Sequence, residues 1–169
     1  PAQFLMVAAM NPCPCGYFGD EKLSCICSPI NVLRYRKKIS GPLLDRIDLH
    51  VSVPYENLRM NDANNAEENS QGFRNTVLRV RLVQQRRNNS SSYYLNSQIS
   101  PAFIDDICKM SQDARIVLDN SLAKNYISRR GYHKILKIAR TIADIDGSGI
   151  IGRQHIAEAL TYRSQLKNS

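Results

Sequence analysis

The sequence contains no tryptophan and no long apolar run. Its longest continuous apolar stretch, Phe4 to Met10, has the length of a β-strand, whereas a membrane-spanning helix needs about 20 apolar residues. No basic segment followed by an apolar one opens the chain, so nothing predicts secretion. These absences disfavour membrane and secreted proteins, and the cytoplasm is the expected compartment.

Acidic residues are also scarce relative to basic ones. The 169 residues include 23 Lys and Arg but only 15 Asp and Glu, which gives a net charge of +8. The segment from Arg74 to Arg87 holds five Arg and no acid, and the segment from Lys124 to Arg140 is likewise free of acids. Such runs suit a polyanion partner, either nucleic acid or nucleotide phosphate, but they are also typical of solvated helix faces. Charge alone therefore leaves both interpretations open.

The first sixty residues carry strand and loop signals. The run from Phe4 to Ala9 is apolar without alternation, which is typical of a strand buried on both faces. Alternation from Leu49 to Val53 predicts a second strand. Between them lie a loop rich in Cys, Pro and Gly at 12–29, a basic segment with helical character at 30–39, and a helical turn from Gly41 to Arg46. This part of the chain is expected to belong to an α/β domain.

The pattern then changes to that of a helical bundle. Residues 61–71 are polar and predict a linker or exposed loop. Beyond them apolar residues recur at helical spacing, most clearly from Tyr132 to Ala143. The predicted fold is an α/β fragment at 1–60 and an all-α bundle at 72–169, mostly α overall. The predicted helices lie near 73–87, 101–110, 113–125, 132–146 and 153–166.

Several side chains of the bundle have predicted environments. Four residues are expected to point inward from the helix at 113–125, namely Ile116, Val117, Leu118 and Leu122, and Cys108 is expected to lie in the core beside other apolar residues. His155, near the start of the last helix, is expected at the surface.

Four of the five cysteines fall in the loop at 12–29, as Cys-Pro-Cys and Cys-Ile-Cys separated by nine residues. Four thiolates close in sequence can bind Zn²⁺ tetrahedrally, and neighbouring glycines and prolines allow the chain to fold around the ion. The spacing is tighter than usual, and free thiols or disulfides are the alternatives, although a reducing cytoplasm disfavours disulfides. The sequence predicts a structural zinc site rather than a catalytic one, since no water-activating group accompanies it. Its ligands would be Cys13, Cys15, Cys25 and Cys27.

Five stretches of sequence resemble the magnesium-chelatase-like AAA+ ATPases of the ComM type. They are AAMNPCPCGYFGD, CICSP, ISGPLLDRIDLHV, ISRRGYHKILKIARTIADI and HIAEALTYR. The resemblance covers nearly all of the chain. It implies the end of an α/β nucleotide-binding core followed by a helical lid, in a homohexameric ring. It further implies a motor that uses ATP and Mg²⁺ to move along branched or single-stranded DNA, with a role in branch migration during natural transformation.

The resemblance also implies roles for three polar side chains. Asn11 matches the first sensor, which orients the attacking water or contacts the γ-phosphate, and Arg46 matches the arginine finger that reaches a neighbour's nucleotide. Arg130 matches the second sensor at the start of a lid helix, with the adjacent Arg129 as the alternative. From the residues alone, Asn11 is a turn former before a proline and the arginines are surface side chains.

Two elements of an ATP site are absent from the sequence. It contains neither a glycine-rich loop of the form GxxxxGK[ST] nor a strand-length apolar run ending in two acids that could hold Mg²⁺. The resemblance implies that the glycine-rich loop lies upstream of Pro1. We therefore expect ATP hydrolysis by the parent protein and none by this chain alone. Two other functions stay open: a chelatase-type motor that drives metal insertion into a porphyrin, and a zinc-stabilised binding module with no ATP role. The cysteine loop and the basic helices favour the ComM type.

Overall fold

A computed structural model describes residues 4–53, 70–88, 94–125 and 127–164. Within these ranges the chain forms two compact units. Unit 1 comprises residues 4–47 and 52–53, and unit 2 comprises residues 48–51 together with everything described from 70 onward.

Unit 1 contains two short helices, α1 (Pro29–Arg36) and α2 (Gly41–Arg46). Each begins after a serine, Ser28 or Ser40, whose Oγ accepts a backbone N–H of the first turn at 3.3 Å and 3.4 Å respectively. Each also has a proline in its first turn, where the missing N–H costs no hydrogen bond. Both helical segments predicted in this region are therefore confirmed, with bounds fixed by local capping.

The two predicted strands are not formed. Neither Phe4–Ala9 nor Leu49–Val53 pairs with another strand, and the expected burial on both faces is wrong, since Leu5 is 90% and Val7 is 87% exposed. A parallel strand is buried only where neighbouring strands and covering helices surround it. The described part of the chain supplies no strand for such a sheet. The α/β character expected for this region is thus not seen, whereas the mostly helical class is confirmed.

Unit 2 is helical. Two single 3₁₀ turns, Asn96–Gln98 and Pro101–Phe103, precede a short helix at Ile104–Ile107. Of the predicted linker, residues 61–69 lie outside the described residues, and Ser70 and Gln71 already belong to the helix Ser70–Arg87. No helix in the described ranges is both long and apolar enough to cross a membrane. The helices are α3 (Ser70–Arg87), α4 (Ile104–Ile107), α5 (Gln112–Asn125), α6 (Arg129–Ile145) and α7 (Arg153–Ser164).

Helix α6 is central to unit 2: it packs against α3 and α7, and α5 packs against α7. Its apolar residues recur at helical spacing and form the middle of the core, as the sequence predicts. Cys108 is buried as expected. Ile116 is half exposed, which corrects its predicted inward position, because Ala114 and Leu118 occupy the buried side of α5. The fully buried members of the core include Ile104, Ala114, Leu118, Ile135, Leu136, Ala139, Ala143, Ile151, Ile156 and Ala159.

Helix α6 ends in a Schellman motif, at the glycine that the sequence predicts as its end. Gly147 has a φ of +71°, the Ser148 N–H donates to the Ala143 carbonyl at 2.8 Å, and the Gly147 N–H donates to the Asp144 carbonyl at 3.3 Å. This pairing satisfies carbonyls that the helix end would otherwise leave without partners. The chain can then turn sharply toward α7.

His155 is buried, which corrects its predicted surface position. Its Nδ1 accepts the Gly152 N–H at 2.8 Å, and its Nε2 lies 3.0 Å from Oδ2 of Asp146. Because Nδ1 accepts a hydrogen bond, the proton of the neutral ring sits on Nε2 and is donated to Asp146. The imidazole therefore ties the start of α7 to the residue that follows α6.

A short parallel bridge joins the segment before α5 to the segment before α7. Met110 and Ile151 are the paired residues. The Ile151 N–H donates to the Lys109 carbonyl and the Ser111 N–H donates to the Ile151 carbonyl, both at 2.9 Å. These are the bonds of a minimal two-strand ladder.

Candidate metal centre

The loop of unit 1 brings the four predicted ligands together. The Sγ of Cys13 lies 3.3 Å from that of Cys15 and 3.7 Å from that of Cys25, and the Sγ atoms of Cys15 and Cys25 are 3.6 Å apart. With Cys27 included, all four sulfur atoms lie within 4.8 Å of one another. Cys13 is buried and the other three are partly buried.

These distances fit a tetrahedral zinc site. A Zn–S bond of about 2.3 Å places the sulfurs of a regular tetrahedron about 3.8 Å apart. A disulfide would instead require a separation of about 2.05 Å, and all the cysteines are free thiols. The donor set, four thiols on one small loop, is that of a closed structural site.

Two glycine turns shape the loop between the cysteine pairs. Gly16 and Gly19 have φ values of +88° and +84°, a region that favours glycine. The Gly16 N–H donates to the Cys13 carbonyl and the Asp20 N–H donates to the Tyr17 carbonyl, both at 3.1 Å. These successive turns reverse the chain and return the second cysteine pair to the first.

The thiols do not ionise equally. A hydrogen bond from the Tyr17 backbone is the main cause that lowers the pKa of Cys15 to about 6. At Cys25 the backbone of Cys27 favours the thiolate, but desolvation and the neighbouring thiols together raise the pKa to about 12. Thiolates this close together repel one another, and a bound divalent cation would offset the repulsion. The electrostatics of the cluster therefore agree with its geometry.

Arg36 connects α1 to the cysteine loop through a hydrogen bond and a contact with an aromatic ring. The sequence pattern did not predict this role. Its Nε donates to the Pro12 carbonyl at 3.2 Å, and its Cζ lies 4.7 Å from the centroid of the Phe18 ring. Val32, one helical turn earlier, is buried. The only sequence signal was an Arg one turn after an apolar residue on a short helix, which is too common to single out.

Asn11 and Arg46, two of the predicted nucleotide-site residues, lie in unit 1. Asn11 is exposed, and its amide nitrogen lies 3.9 Å from where a Cβ on Gly16 would stand, so it borders the cysteine loop. Arg46 ends α2 with an exposed side chain whose Nη1 donates to the Pro42 carbonyl at 2.8 Å.

Arg130, the third, lies in unit 2, in the first turn of α6 directly after Arg129. Both side chains are exposed. The helix starts at this point because the Oγ of Ser128 accepts the Gly131 N–H at 3.1 Å.

Comparison with known proteins identifies the family. The family model described as magnesium chelatase, subunit ChlI, matches residues 1–61, and that of the ChlI C-terminal region matches residues 67–163. The chain belongs to the magnesium chelatase ChlI family. The match to the C-terminal family model alone covers more than half of the chain, and it includes the helices of unit 2.

Similarity to named relatives confirms the ComM-type resemblance. Competence protein ComM of Haemophilus influenzae is 39% identical over 170 residues, which cover 99% of this chain and 32% of the relative. YifB of Escherichia coli is 37% identical over 165 residues, which cover 97% of this chain and 31% of the relative. Rv2897c of Mycobacterium tuberculosis is 32% identical over 163 residues, which cover 96% of this chain and 32% of the relative. The chain thus spans about a third of the length of these relatives, and it corresponds to a C-terminal portion of a ComM-type protein.

Proposed function

We propose that the intact protein is a ring-forming AAA+ ATPase of the ComM type that uses ATP and Mg²⁺ to move along DNA. The observation that carries the proposal is the 39% identity to competence protein ComM across 99% of this chain. The net charge of +8 agrees with a nucleic-acid partner. The proposed role is branch migration of incoming DNA during natural transformation in the cytoplasm, on branched or single-stranded substrates.

In this proposal the chain supplies the end of the nucleotide-binding core at 1–60, a linker at 61–71 and the helical lid at 72–169. Six copies form the ring. The chain has no glycine-rich phosphate loop and no paired acids after a strand-length apolar run, so its own residues do not form a complete site for Mg²⁺ and ATP. We expect no hydrolysis from it alone.

Arg46 is the proposed arginine finger. Its exposed position at the end of α2 suits a side chain that acts outside its own subunit. A guanidinium placed on a neighbour's γ-phosphate stabilises the charge that develops as the phosphoryl group is transferred. The bond from Nη1 to the Pro42 carbonyl orients the side chain along its helix.

Asn11 and Arg130 are the proposed sensors. The amide of Asn11 can position water or contact a phosphate oxygen. The exposed guanidinium of Arg130, at the start of α6, the central helix of unit 2, can bond a phosphate bidentately and couple the lid to the nucleotide. Arg129 is the adjacent alternative.

The cysteine cluster is proposed to hold one structural Zn²⁺. The distances among Cys13, Cys15 and Cys25 support this assignment, and Cys27 completes the tetrahedron. When bound, the ion would fix the loop that borders Asn11.

The test is steady-state ATP hydrolysis by the intact protein, with and without single-stranded and branched DNA. We expect DNA to stimulate turnover and Arg46→Ala to lower it by about 10³-fold or more, with nucleotide affinity nearly unchanged. The matched control is Arg153→Ala, which removes another exposed arginine at a helix end and should leave turnover intact. Equal turnover in the Arg46→Ala protein and the wild type would reject the finger assignment.

A chelatase-type motor for metal insertion into a porphyrin is the second candidate, and the family description favours it. ATP turnover that is indifferent to every DNA tested would put this candidate first. A complete lack of turnover by the intact protein would instead support a zinc-stabilised binding module without an ATP role.

A further inference from the structure

Two aromatic rings stand exposed on the cysteine loop. Tyr17 is 43% exposed and Phe18 is 46% exposed, and both follow directly after the first cysteine pair. Aromatic side chains normally bury their faces, because each carries a large apolar area. Two adjacent exposed rings on the loop that carries the cysteine cluster can therefore contact a partner with flat apolar faces.

Helix α1 and the residues that follow it, beside these rings, are basic. From Pro29 to Ser40 the chain has four Lys and Arg and no acid. The guanidinium of Arg36 already stacks over Phe18, and Nζ of Lys38 lies 5.8 Å from the centroid of the Tyr35 ring. A cation therefore lies over an aromatic ring at two places in unit 1, Arg36 over Phe18 and Lys38 over Tyr35.

We propose that this surface, which we call the loop–α1 surface, binds single-stranded DNA. Exposed bases stack on aromatic and guanidinium planes, while cations track the phosphates, and this combination is typical of single-strand binding. A duplex would satisfy the cations but hide its base faces from the rings. The proposal rests on the proposed function and adds to it a contact site for the nucleic acid. The loop–α1 surface consists of Tyr17, Phe18, Arg36, Lys37 and Lys38.

The position of the rings depends on the cysteine centre. Residues 11–27 contain no helix or strand, so the turns at Gly16 and Gly19, the cysteine cluster and the bond from Arg36 to the Pro12 carbonyl define the loop. Binding should therefore require the metal, since a loop that opens would carry Tyr17 and Phe18 away from α1.

The ring contribution is tested by fluorescence anisotropy with the zinc-loaded 169-residue chain and labelled oligothymidylate of about 20 nucleotides, longer than the roughly 4–16 that one binding fold covers. Phe18→Leu keeps an apolar side chain but removes the ring, and should weaken binding by at least about fivefold. The control is Phe103→Leu, which removes a ring of similar exposure in unit 2 and should leave affinity unchanged. Equal affinity for Phe18→Leu and the wild type overturns the proposal.

The charge contribution is tested in the same assay across a salt series. The double variant Lys37→Ala/Lys38→Ala should weaken binding and reduce the slope of log affinity against log salt by about 1.4, because each single-strand phosphate contact contributes about 0.7. The control Lys109→Ala/Lys124→Ala removes the same charge from exposed positions in unit 2. Equal losses in the two double variants would mean that only the overall charge attracts DNA, and this overturns the proposal.

Further measurements distinguish a loss of DNA binding from a loss of folding, and a failure of this inference from a failure of the proposed function. Zinc content and thermal unfolding of each variant must equal those of the wild type, and chelation of the zinc should weaken binding as Phe18→Leu does. DNA-stimulated hydrolysis by the intact protein, combined with oligonucleotide binding that neither loop–α1 variant changes, overturns the inference and leaves the proposed function standing. A duplex bound as tightly as the single strand, with no effect of Phe18→Leu, also overturns it.

Discussion

Arg87 at the end of α3 donates two hydrogen bonds to the carboxylate of Asp144 in α6, 57 positions later in the sequence. Nη1 lies 2.6 Å from Oδ1 and Nη2 lies 2.8 Å from Oδ2. The carboxylate is 1% exposed, and it also accepts bonds from Nε of Arg140 at 3.1 Å and from Nδ2 of Asn96 at 2.9 Å. One buried carboxylate thus joins α3, α6 and the 3₁₀ turn between α3 and α4.

Asp144→Asn should lower the free energy of unfolding of the chain by about 3–5 kcal/mol, because it leaves Arg87 and the buried Arg140 without their counter-charge. Urea denaturation followed by helical circular dichroism measures the change. Asp119→Asn, at an exposed position of α5, is the matched control and should change stability by less than about 0.5 kcal/mol. Similar midpoints for the two variants would show that the buried network contributes little.

The same carboxylate predicts a pH dependence of stability. Burial alone would raise the pKa of Asp144, but the hydrogen bonds from Arg87 and Asn96 and the charge of Arg140 hold the pKa below its ordinary value. The folded pKa is therefore lower than the unfolded one of about 3.9, so the stabilisation is fully present above pH 3.9 and is lost as pH falls through the folded pKa. We expect the urea midpoint of the wild type to fall below about pH 4 more steeply than that of Asp144→Asn. Parallel curves for the two proteins would assign the acid sensitivity to other groups.

The end of α6 predicts a difference between two neighbouring glycines. Gly147→Ala should destabilise unit 2 by about 1–2 kcal/mol, since alanine is strained at a φ of +71° although no atom crowds the position of its Cβ. Gly149→Ala also adds a methyl group into open space, but there φ lies outside the left-handed region, so it should be nearly neutral. Thermal unfolding of both variants measures the difference. Equal melting temperatures would mean that the helix can end without the left-handed residue.

The cysteine centre predicts a selective loss of metal. Cys25→Ser replaces one of the clustered thiols and should abolish stoichiometric zinc in the purified chain by elemental analysis. Cys108→Ala removes the fifth cysteine, which is buried in unit 2, and should retain the same zinc content as the wild type. A wild-type chain without zinc, whose thiols around Cys25 all react freely, would refute the site.

The sequence predicts best the features that depend on neighbouring residues. Helix α6 is predicted by apolar residues that recur at the helical period, and α2 is predicted by the proline in its first turn. The proximity of the cysteines also follows from two close pairs on a loop rich in glycine. In each case the determining residues lie within one turn or one loop.

Features that need distant partners could not be predicted in this way. The apolar run at Phe4–Ala9 has strand character, but a strand also needs neighbours to pair with, and the described residues provide none. His155 looks like a surface residue until the turn after α6 brings Asp146 to it. The contact between Arg36 and Phe18 likewise depends on how the loop folds back on α1.

The small ladder at Ile151 has a consequence for the way unit 2 opens. The Ile151 N–H donates to the Lys109 carbonyl, and the Ile151 carbonyl accepts the Ser111 N–H. The segment leading into α7 therefore cannot detach without breaking its hydrogen bonds to the segment leading into α5. The side chain of Ile151 is fully buried in the same core as both helices. Its amide hydrogen should therefore exchange with deuterium only as slowly as the whole unit unfolds, which makes α5 and α7 a single cooperative foldon rather than two helices that fray independently.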